Sequence, residues 1–274
     1  MSETNRSAAM EELLRIMDCL RHPTLGCPWD LQQSFATIAP HTLEETYEVL
    51  DTIERGDFDH LPEELGDLLF QVVFYARLGK EAGKFDFDTI ARLISDKLLR
   101  RHPHVFPEAT LASFGRKPEI DAEGVSKQWE DIKAGERQAK RDPSILADIP
   151  LALSALLRAT KLQKRVSRHG LDWSQAEEVI GKLEEELSEL KAAMAQNAQE
   201  EMAEEFGDLL FTVVNLGRHL NIDAEAALRA ANRKFERRVR ALEALCAADG
   251  KQLQDCDAAA LDAYWQRVKN AEIP

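Results

Sequence analysis

The chain has 274 residues, of which 44% are hydrophobic and 31% charged, and its formal net charge is −14. This length allows one large domain or two ordinary ones, and the composition allows a core of normal size. The acidic surface predicts no binding to nucleic acid or to acidic membranes, but it is compatible with a small anion whose charge bound cations neutralise locally. No stretch approaches the roughly 20 apolar residues that span a bilayer.

The cysteines and the first 20 residues bear on the cellular compartment. The four cysteines form no C-x-x-C pair and no spacing typical of a zinc site; they are Cys19, Cys27, Cys246 and Cys256. Residues 1–20 are polar and acidic, without the apolar region of a signal peptide. We therefore expect reduced thiols and a cytoplasmic protein.

Composition and local sequence patterns predict a helical protein. Few glycines, prolines and β-branched residues favour an all-α fold. The turn sequence at residues 55–59, Arg-Gly-Asp-Phe-Asp, separates two long helices and predicts an antiparallel pair within a helical bundle. In the second half, apolar residues recur every three or four positions and predict an amphipathic helix; they are Ile180, Leu183, Leu187, Leu190 and Met194.

The sequence contains an internal duplication. A shift of 141 residues lays residues 63–70 (EELGDLLF) on residues 204–211 (EEFGDLLF) and aligns two E-E-x-x-E motifs without a gap. A basic K-x-x-R-R motif and a W-x-x-x-K motif then recur in the same order. We predict two tandem helical-bundle modules, an N-terminal module at 1–142, which includes a loop and Trp-Lys segment at 103–140, and a C-terminal module at 143–274.

Each module carries the same acidic quartet. The quartets are Glu45, Glu48, Glu64 and Asp67, and Glu186, Glu189, Glu205 and Asp208. Residues three apart share a helix face, so an antiparallel helix pair would bring four carboxylates together, and their repulsion requires a cation. Oxygen ligands without His or Cys select Mg²⁺ first and Mn²⁺ second. Acidic pairs on helices are more often solvated surface, but recurrence of the whole quartet beside an apolar run favours a metal site.

Three further repeated features each have two interpretations. Each module has a basic pair, Lys97 with Arg101 in the first and Lys234 with Arg238 in the second. The spacing of each pair suits a phosphate clamp or an ordinary charged helix face. A Trp-Lys pair also occurs twice, as Trp129 with Lys133 and as Trp265 with Lys269. Each pair is suited to stacking on a base and reaching a phosphate, or to anchoring a core or an interface. Gly66 and Gly207, each costing about 1 kcal/mol in a helix, indicate close approach of a phosphate or partner helix, or close packing of neighbouring helices.

The order of these motifs, in two tandem copies, closely resembles MazG, a nucleoside triphosphate pyrophosphohydrolase. Residues 26–30 (GCPWD), 101–106 (RHPHVF) and 161–165 (KLQKR) also look like MazG segments, so the resemblance covers nearly the whole chain. It implies an all-α fold of two MazG modules completed by homodimerisation. It also implies hydrolysis of ribo- and deoxynucleoside triphosphates to monophosphate and pyrophosphate.

The resemblance also implies roles for individual residues of the C-terminal module. Its quartet would bind Mg²⁺, Lys234 and Arg238 would face the phosphates, and Trp265 would stack on the base. The residues implied at the nucleotide are Lys182, Glu185, Lys234, Arg238, Trp265 and Lys269. The sequence shows no Ser, His or Cys placed for a covalent intermediate, so we expect direct attack by water, with Glu186 as the base by position.

The choice between modules rests on one position of the second acidic helix. Asn215 of the C-terminal module, two turns beyond Asp208, is suited to hydrogen-bond a sugar or base, whereas its counterpart Phe74 is not. We therefore expect hydrolysis in the C-terminal module. The N-terminal residues are candidates for a second site, a regulatory site or a dimerisation scaffold; they are Glu45, Glu48, Glu64, Asp67, Lys97, Arg101, Trp129 and Lys133.

Two alternative functions differ from hydrolysis of nucleotides. A di-iron carboxylate bundle normally needs Glu-x-x-His motifs, and neither quartet has a His at that spacing. A nucleotide-sensing module that binds Mg²⁺–nucleotide without turnover fits the same residues, especially in the N-terminal half.

Overall fold

The computed structural model describes residues 3–115, 117, 119–138 and 144–271. Within these ranges the chain forms α-helices and two short 3-10 turns, and no strand, so the predicted all-α class is confirmed. The helices are α1 (Glu3–Leu20), α2 (Pro28–Gln32), α3 (Phe35–Arg55), α4 (Leu61–Glu81), α5 (Phe87–Arg101), α6 (Ala122–Gln138), α7 (Ala155–Ser167), α8 (Ala176–Gln196), α9 (Gln199–His219), α10 (Ala224–Ala248) and α11 (Ala258–Ala271). None of these described helices has the length and apolarity needed to cross a membrane.

The chain divides into two compact units, Met1–Glu136 and Arg137–Pro274. We describe each separately and keep the names N-terminal and C-terminal module. The boundary predicted from the sequence, after Asp142, lies outside the described residues and stays a prediction.

The N-terminal module is built on the pair α3 and α4. Ser34 begins α3 with a reciprocal capping box with Thr37, and the helix ends where Gly56 adopts a left-handed φ of 70°. This confirms the turn predicted at residues 55–59. Helix α1 packs on α4, and together they form the core with α3. The buried apolar residues of this core are Met17, Ile38, Val73, Phe74 and Leu78.

The C-terminal module repeats this arrangement with α8 and α9. Asn197 ends α8 in a left-handed conformation with φ 53°, and α9 begins at Gln199, so the two helices pack along their lengths after a very short turn. Helix α7 packs on α9 as α1 packs on α4, and α10 packs on α7, α9 and α11. The two modules therefore share one helix order around their acidic motifs.

The buried face of α8 differs from its most apolar face. Val179, Glu186 and Ala193 are spaced by seven residues and are buried. The predicted helix is present, but three residues of its apolar stripe are solvent-exposed; they are Ile180, Leu187 and Met194. In the described part of the chain, α8 thus turns a carboxylate inward and leaves large apolar side chains outside.

We expect Phe74→Ala to destabilise the N-terminal module by about 3–5 kcal/mol, because Phe74 is completely buried and its loss leaves a cavity. Urea unfolding monitored by circular dichroism measures the change. Phe58→Ala removes the same ring from a site that is 66% exposed and should alter the unfolding free energy by about 0.5 kcal/mol or less. Equal losses in the two variants would contradict the assignment of Phe74 to the core.

Candidate active site

The pair α8 and α9 brings three carboxylates of the C-terminal quartet together. One oxygen each from Glu186, Glu205 and Asp208 lies within 4.8 Å of the others. Glu186 is only 4% exposed, whereas Glu205 is half-buried and Asp208 is exposed. The fourth member, Glu189, is exposed and lies outside this group of three.

Mutual repulsion dominates the electrostatics of this group. Burial and the nearby charges of Glu189, Glu186 and Asp208 raise the pKa of Glu205. Lys182 lies one turn before Glu186, and its Nζ is 2.8 Å from an oxygen of that residue. One ammonium group compensates only part of the charge of four carboxylates, so the site is suited to a hard divalent cation with oxygen ligands.

Lys182, which the sequence predicts at the nucleotide, forms ion pairs at the acidic group itself. It also binds Glu185 at 2.8 Å, and these two hydrogen bonds raise the pKa of the Lys182 ammonium. The structure therefore places Lys182 and Glu185 beside the quartet, with Lys182 holding the Oε1 oxygen of Glu186. Contact of these two residues with a nucleotide stays a prediction.

The N-terminal module forms an equivalent group with different neighbours. Oxygens of Glu45, Glu48 and Glu64 lie within 4.8 Å of one another. Burial, followed by the charges of Asp67 and Glu48, raises the pKa of Glu45. The amide Nε2 of buried Gln71 donates a hydrogen bond to Glu45 over 3.4 Å, an interaction with no equivalent at Thr212 of the C-terminal module among the described residues.

The repeated glycines have open space around them. A methyl group at Gly66 or Gly207 would meet no heavy atom within 4 Å apart from the helix's own backbone, in the part of the chain that the structure describes. Close packing of helices within one chain therefore does not explain these glycines. Approach of a ligand or a partner chain remains the interpretation that fits.

The basic and Trp-Lys motifs of the C-terminal module meet on α10 and α11. The guanidinium of Arg238 lies 5.8 Å from the ring centre of Trp265, and Phe235 packs on the same ring. Lys234 is exposed on α10 and Lys269 is half-buried on α11. Trp265 borders a hydrophobic cluster that α10 and α11 form. The structure thus unites Arg238 with Trp265, and their predicted contact with nucleotide stays a prediction.

The corresponding residues of the N-terminal module are engaged differently. Arg101 forms an ion pair with Glu136, and the ring of Trp129 packs edge-on against His102 with centroids 5.0 Å apart. Lys97 is exposed. The side chain of Lys133 lies outside the described residues. A phosphate clamp in this module would have to compete with Glu136 for Arg101.

Asn215 lies beside a cavity that the sequence did not predict. Asn215 is buried, and its Oδ1 accepts a hydrogen bond from Arg218 Nε over 3.1 Å. Both residues line a cavity of about 510 Å³ between α7, α9 and the segment before α8, together with Gln163, Asp172 and Trp173. One signal would have indicated Trp173, because a G-x-x-W spacing occurs at Gly26–Trp29 and again at Gly170–Trp173.

An ion pair stands at the edge of this cavity. Arg218 and His219 both contact Asp172, with His219 Nε2 at 3.2 Å. Burial alone would raise the pKa of Asp172. The hydrogen bonds from Arg218 and His219 outweigh burial and lower this pKa. Arg218 is therefore neutralised by a carboxylate, and the cavity carries little net charge.

The fold and the two acidic groups define a class of all-α protein with two helical modules, each of which has a group of carboxylates suited to binding a metal ion. Residues 33–106 and 175–242 both match the MazG nucleotide pyrophosphohydrolase domain. The chain belongs to this family, as the sequence resemblance predicted, and it is a tandem duplication of the MazG module.

Several curated relatives carry related names. A protein of Escherichia coli K12 named nucleoside triphosphate pyrophosphohydrolase is 51% identical over 266 residues, which are 96% of this chain and 98% of that protein. The Thermotoga maritima nucleoside triphosphate pyrophosphohydrolase/pyrophosphatase MazG is 42% identical over 262 residues, 96% of each chain. A nucleoside triphosphate pyrophosphohydrolase of Mycobacterium tuberculosis is 35% identical over 171 residues, 62% of this chain and 48% of that protein.

We expect Mg²⁺ to raise the thermal midpoint of EDTA-treated protein, since a cation bound only by the folded state stabilises it. Glu205→Gln should lose most of this rise, because it removes one of the converging carboxylates. Without metal the variant should be at least as stable as the wild type, because one repelling charge is gone. Differential scanning calorimetry with and without Mg²⁺ measures both effects.

Glu200→Gln provides the matched control for this measurement. Glu200 is exposed in the first turn of the same helix and lies outside the group of three. It should retain the full Mg²⁺ response. An equal Mg²⁺ response in wild type and Glu205→Gln would rule out the quartet as the site of the stabilising cation.

Proposed function

We propose that the protein is a Mg²⁺-dependent nucleoside triphosphate pyrophosphohydrolase, with Mn²⁺ as a substitute metal. It converts ribo- and deoxynucleoside triphosphates and water to the monophosphate and pyrophosphate, with broad base specificity. The observation that carries the proposal is the convergence of Glu186, Glu205 and Asp208 in a chain that is 51% identical to the Escherichia coli nucleoside triphosphate pyrophosphohydrolase.

The residues present fit the metal that this reaction needs. All members of the quartet offer carboxylate oxygens, which Mg²⁺ prefers, and their repulsion falls when a cation joins them. Glu186, Glu189, Glu205 and Asp208 would hold it. Bound Mg²⁺ supplies charge neutralisation for the triphosphate and lowers the pKa of an attacking water.

The protein's own side chains then position the substrate. Lys182 holds Oε1 of Glu186, which fixes that carboxylate and leaves its second oxygen for a ligand or a proton. Glu186 remains our candidate for the base. Lys234 and Arg238 would bind the phosphates that leave as pyrophosphate, with Lys269 nearby on α11. Direct attack by water needs no covalent intermediate.

The C-terminal module is the better candidate for turnover. Lys182 compensates the buried Glu186 there, whereas the corresponding position of the N-terminal module is His41, which lies 3.5 Å from Glu44. The cavity beside Asn215 also lies in the C-terminal module, while Phe74 is completely buried at the equivalent position. A second function, nucleotide sensing without turnover, suits the N-terminal module because its carboxylates also converge.

We further propose that two copies of the chain form a homodimer. The exposed apolar side chains of α8 and α9 support this proposal, because large apolar patches on a soluble protein mark interaction sites. These residues include Ile180, Leu187, Met194, Phe206 and Leu210. A cytoplasmic location and the lack of a nucleic-acid partner stay predictions.

We expect wild-type protein with Mg²⁺ to release nucleoside monophosphate and pyrophosphate from each nucleoside triphosphate, as measured by ion-exchange chromatography of the products. Glu205→Ala should lower this activity by at least about 100-fold, because it removes a carboxylate of the C-terminal group. Glu64→Ala, the matched change in the N-terminal module, should retain most of it.

The alternative functions give different results in the same assay. Binding without products would support the sensor, and release of single phosphates would indicate another hydrolase. A loss from Glu64→Ala equal to that from Glu205→Ala would contradict our assignment of turnover to the C-terminal module.

We expect the wild type to have twice the 30.9 kDa chain mass by size-exclusion chromatography with light scattering. Leu187→Asp should shift it toward the monomer, because Leu187 is 39% exposed on the apolar face of α8 and a buried unpaired charge is costly. Ser188→Asp places the same charge on the neighbouring polar face and should leave the mass unchanged. A monomeric wild type would refute the dimer.

A further inference from the structure

Two of the four cysteines lie side by side in the C-terminal module. Cys246 is in the last turn of α10 and is 1% exposed, whereas Cys256 is half-buried and stands two residues before the start of α11. Both are free thiols, and the thiol of Cys246 is hydrogen-bonded to that of Cys256. Both belong to the hydrophobic cluster that α10 and α11 form. Two neighbouring thiols of this kind are the reactants of a disulfide bond.

The segment between the two cysteines holds them in place. The backbone N–H of Lys251 donates to the carbonyl of Cys246 over 2.9 Å, which folds the chain back against the end of α10. A 3-10 turn follows at Leu253–Asp255. The sulfur of Cys256 then contacts the carbonyl of Gln252 at 3.5 Å. Because the backbone is fixed by these bonds, the two sulfurs meet without a search through many conformations.

The duplication of the module does not explain this pair. The N-terminal module has two cysteines, Cys19 and Cys27, and both precede its acidic motifs. Cys246 and Cys256 instead follow the basic motif of the C-terminal module. The pair is therefore separate from the motifs that the two modules share, and the proposed hydrolysis makes no use of it.

A metal site at the two thiols lacks further ligands. A structural zinc ion takes four ligands, and two cysteines supply only half of them. In the part of the chain that the structure describes, no third His, Cys, Asp or Glu joins the two sulfurs in a group with ligand atoms within 4.8 Å of one another. The nearby Asp249 is engaged elsewhere, because its Oδ2 accepts a hydrogen bond from Tyr264 over 2.7 Å. The chemistry that remains for the pair is that of a dithiol.

The surroundings of the two sulfurs give them different roles. Burial raises the pKa of the Cys246 thiol, and its hydrogen bond with Cys256 raises it further. Cys246 is thus kept protonated and hidden from solvent. Cys256 is half-buried, so a small oxidant in water can reach it. Because oxidation of thiols needs access as well as a thiolate, Cys256 is the sulfur that an oxidant meets first.

We propose that Cys246 and Cys256 are a peroxide-oxidised dithiol that closes an intramolecular disulfide between the end of α10 and the segment before α11. The Cys256 thiolate attacks hydrogen peroxide, the O–O bond breaks, and a sulfenic acid and one water form after uptake of a proton. The Cys246 sulfur then attacks the Cys256 sulfur. The S–S bond forms, the S–O bond breaks, and the hydroxyl group leaves as a second water with the thiol proton. Two thiols are thereby oxidised and one peroxide is reduced to two waters.

The disulfide would tie together the hairpin of α10 and α11. Arg238 lies eight residues before Cys246 on α10, and Trp265 lies nine residues after Cys256 on α11. The bond would close the open end of this hairpin and restrict its unfolded chain, which stabilises the folded form. A dithiol reductant would reverse it by thiol–disulfide exchange. Oxidation would therefore strengthen the part of the module in which Arg238 meets Trp265, whether or not the protein hydrolyses nucleotides.

The test uses the full-length protein and hydrogen peroxide. Reduced wild type is treated with peroxide, remaining thiols are blocked with N-ethylmaleimide, and the protein is digested with trypsin. Cleavage after Arg240, Lys251 and Arg267 puts the two cysteines on separate peptides, 241–251 and 252–267. We expect mass spectrometry to find these peptides joined, lighter by two hydrogens than their sum, and separated by dithiothreitol. The thermal midpoint of the oxidised protein should be about 5 °C above that of the reduced protein.

Three variants test the order of the two steps. In Cys246→Ala the sulfenic acid of Cys256 has no partner thiol, so dimedone should label Cys256 several-fold more than in wild type. In Cys256→Ser the buried Cys246 should stay reduced, and peroxide should leave the midpoint unchanged. Cys19→Ser is the matched control, because Cys19 is an exposed cysteine of α1. It should keep both the joined peptides and the rise in midpoint.

Several results would overturn the inference. One is oxidation of Cys256 to a sulfinic acid without the joined peptides. Another is a disulfide between two chains, since non-reducing electrophoresis should keep the oxidised protein at the 30.9 kDa of one chain. A third is zinc that binds both thiols and blocks their oxidation. If Cys246→Ala does not fold, the peptides from wild type decide the question alone.

Discussion

Carboxylates that repel one another meet between α8 and α9, and the C-terminal module is organised around this repulsion. Glu186 is buried in the bundle, where an uncompensated charge would be very costly, and Lys182 binds it from one turn before. The remaining acidic groups stay half-buried or exposed, where water screens them. Burial and its acidic neighbours nevertheless raise the pKa of Glu205. Packing of α8 on α9 and of α9 on α7 must therefore hold these helices together against the repulsion, and the acidic group is left to a cation.

The same constraint explains the orientation of α8. Since Glu186 shares its face with Val179 and Ala193, turning the carboxylate inward also fixes which side chains face outward. Those outward residues are the larger apolar ones, including Leu187 and Met194. An isolated module would gain more from burying them and exposing Glu186. The observed orientation makes sense if a second apolar surface covers this side, which links the geometry of the acidic site to the dimer that we propose.

Local patterns made the helices and the acidic groups predictable. Gly56 marked the turn between α3 and α4, and the spacing of three residues put carboxylates on facing helices. The spacing did not reveal that the member outside the group of three would be Asp67 in one module and Glu189 in the other, because side-chain rotamers and burial decide this. The cavity was equally hidden. It depends on the volume of Asn215 and on a segment before α8 that brings Trp173 near α9, and neither fact is encoded in a local period.

The differences between the two modules lie close to their shared acidic groups. Lys182, Thr212 and Asn215 of the C-terminal module correspond to His41, Gln71 and Phe74. His41 approaches Glu44 rather than Glu45, which is the counterpart of Glu186. Gln71 donates to Glu45 itself, and Phe74 fills the core. At each of these three positions, the N-terminal residue makes a contact within its own module. A module that has the carboxylates without the space beside them is suited to holding a cation or a phosphate group more than to enclosing a whole nucleotide. The differences at these three positions therefore support the separate roles that we propose for two modules of one fold.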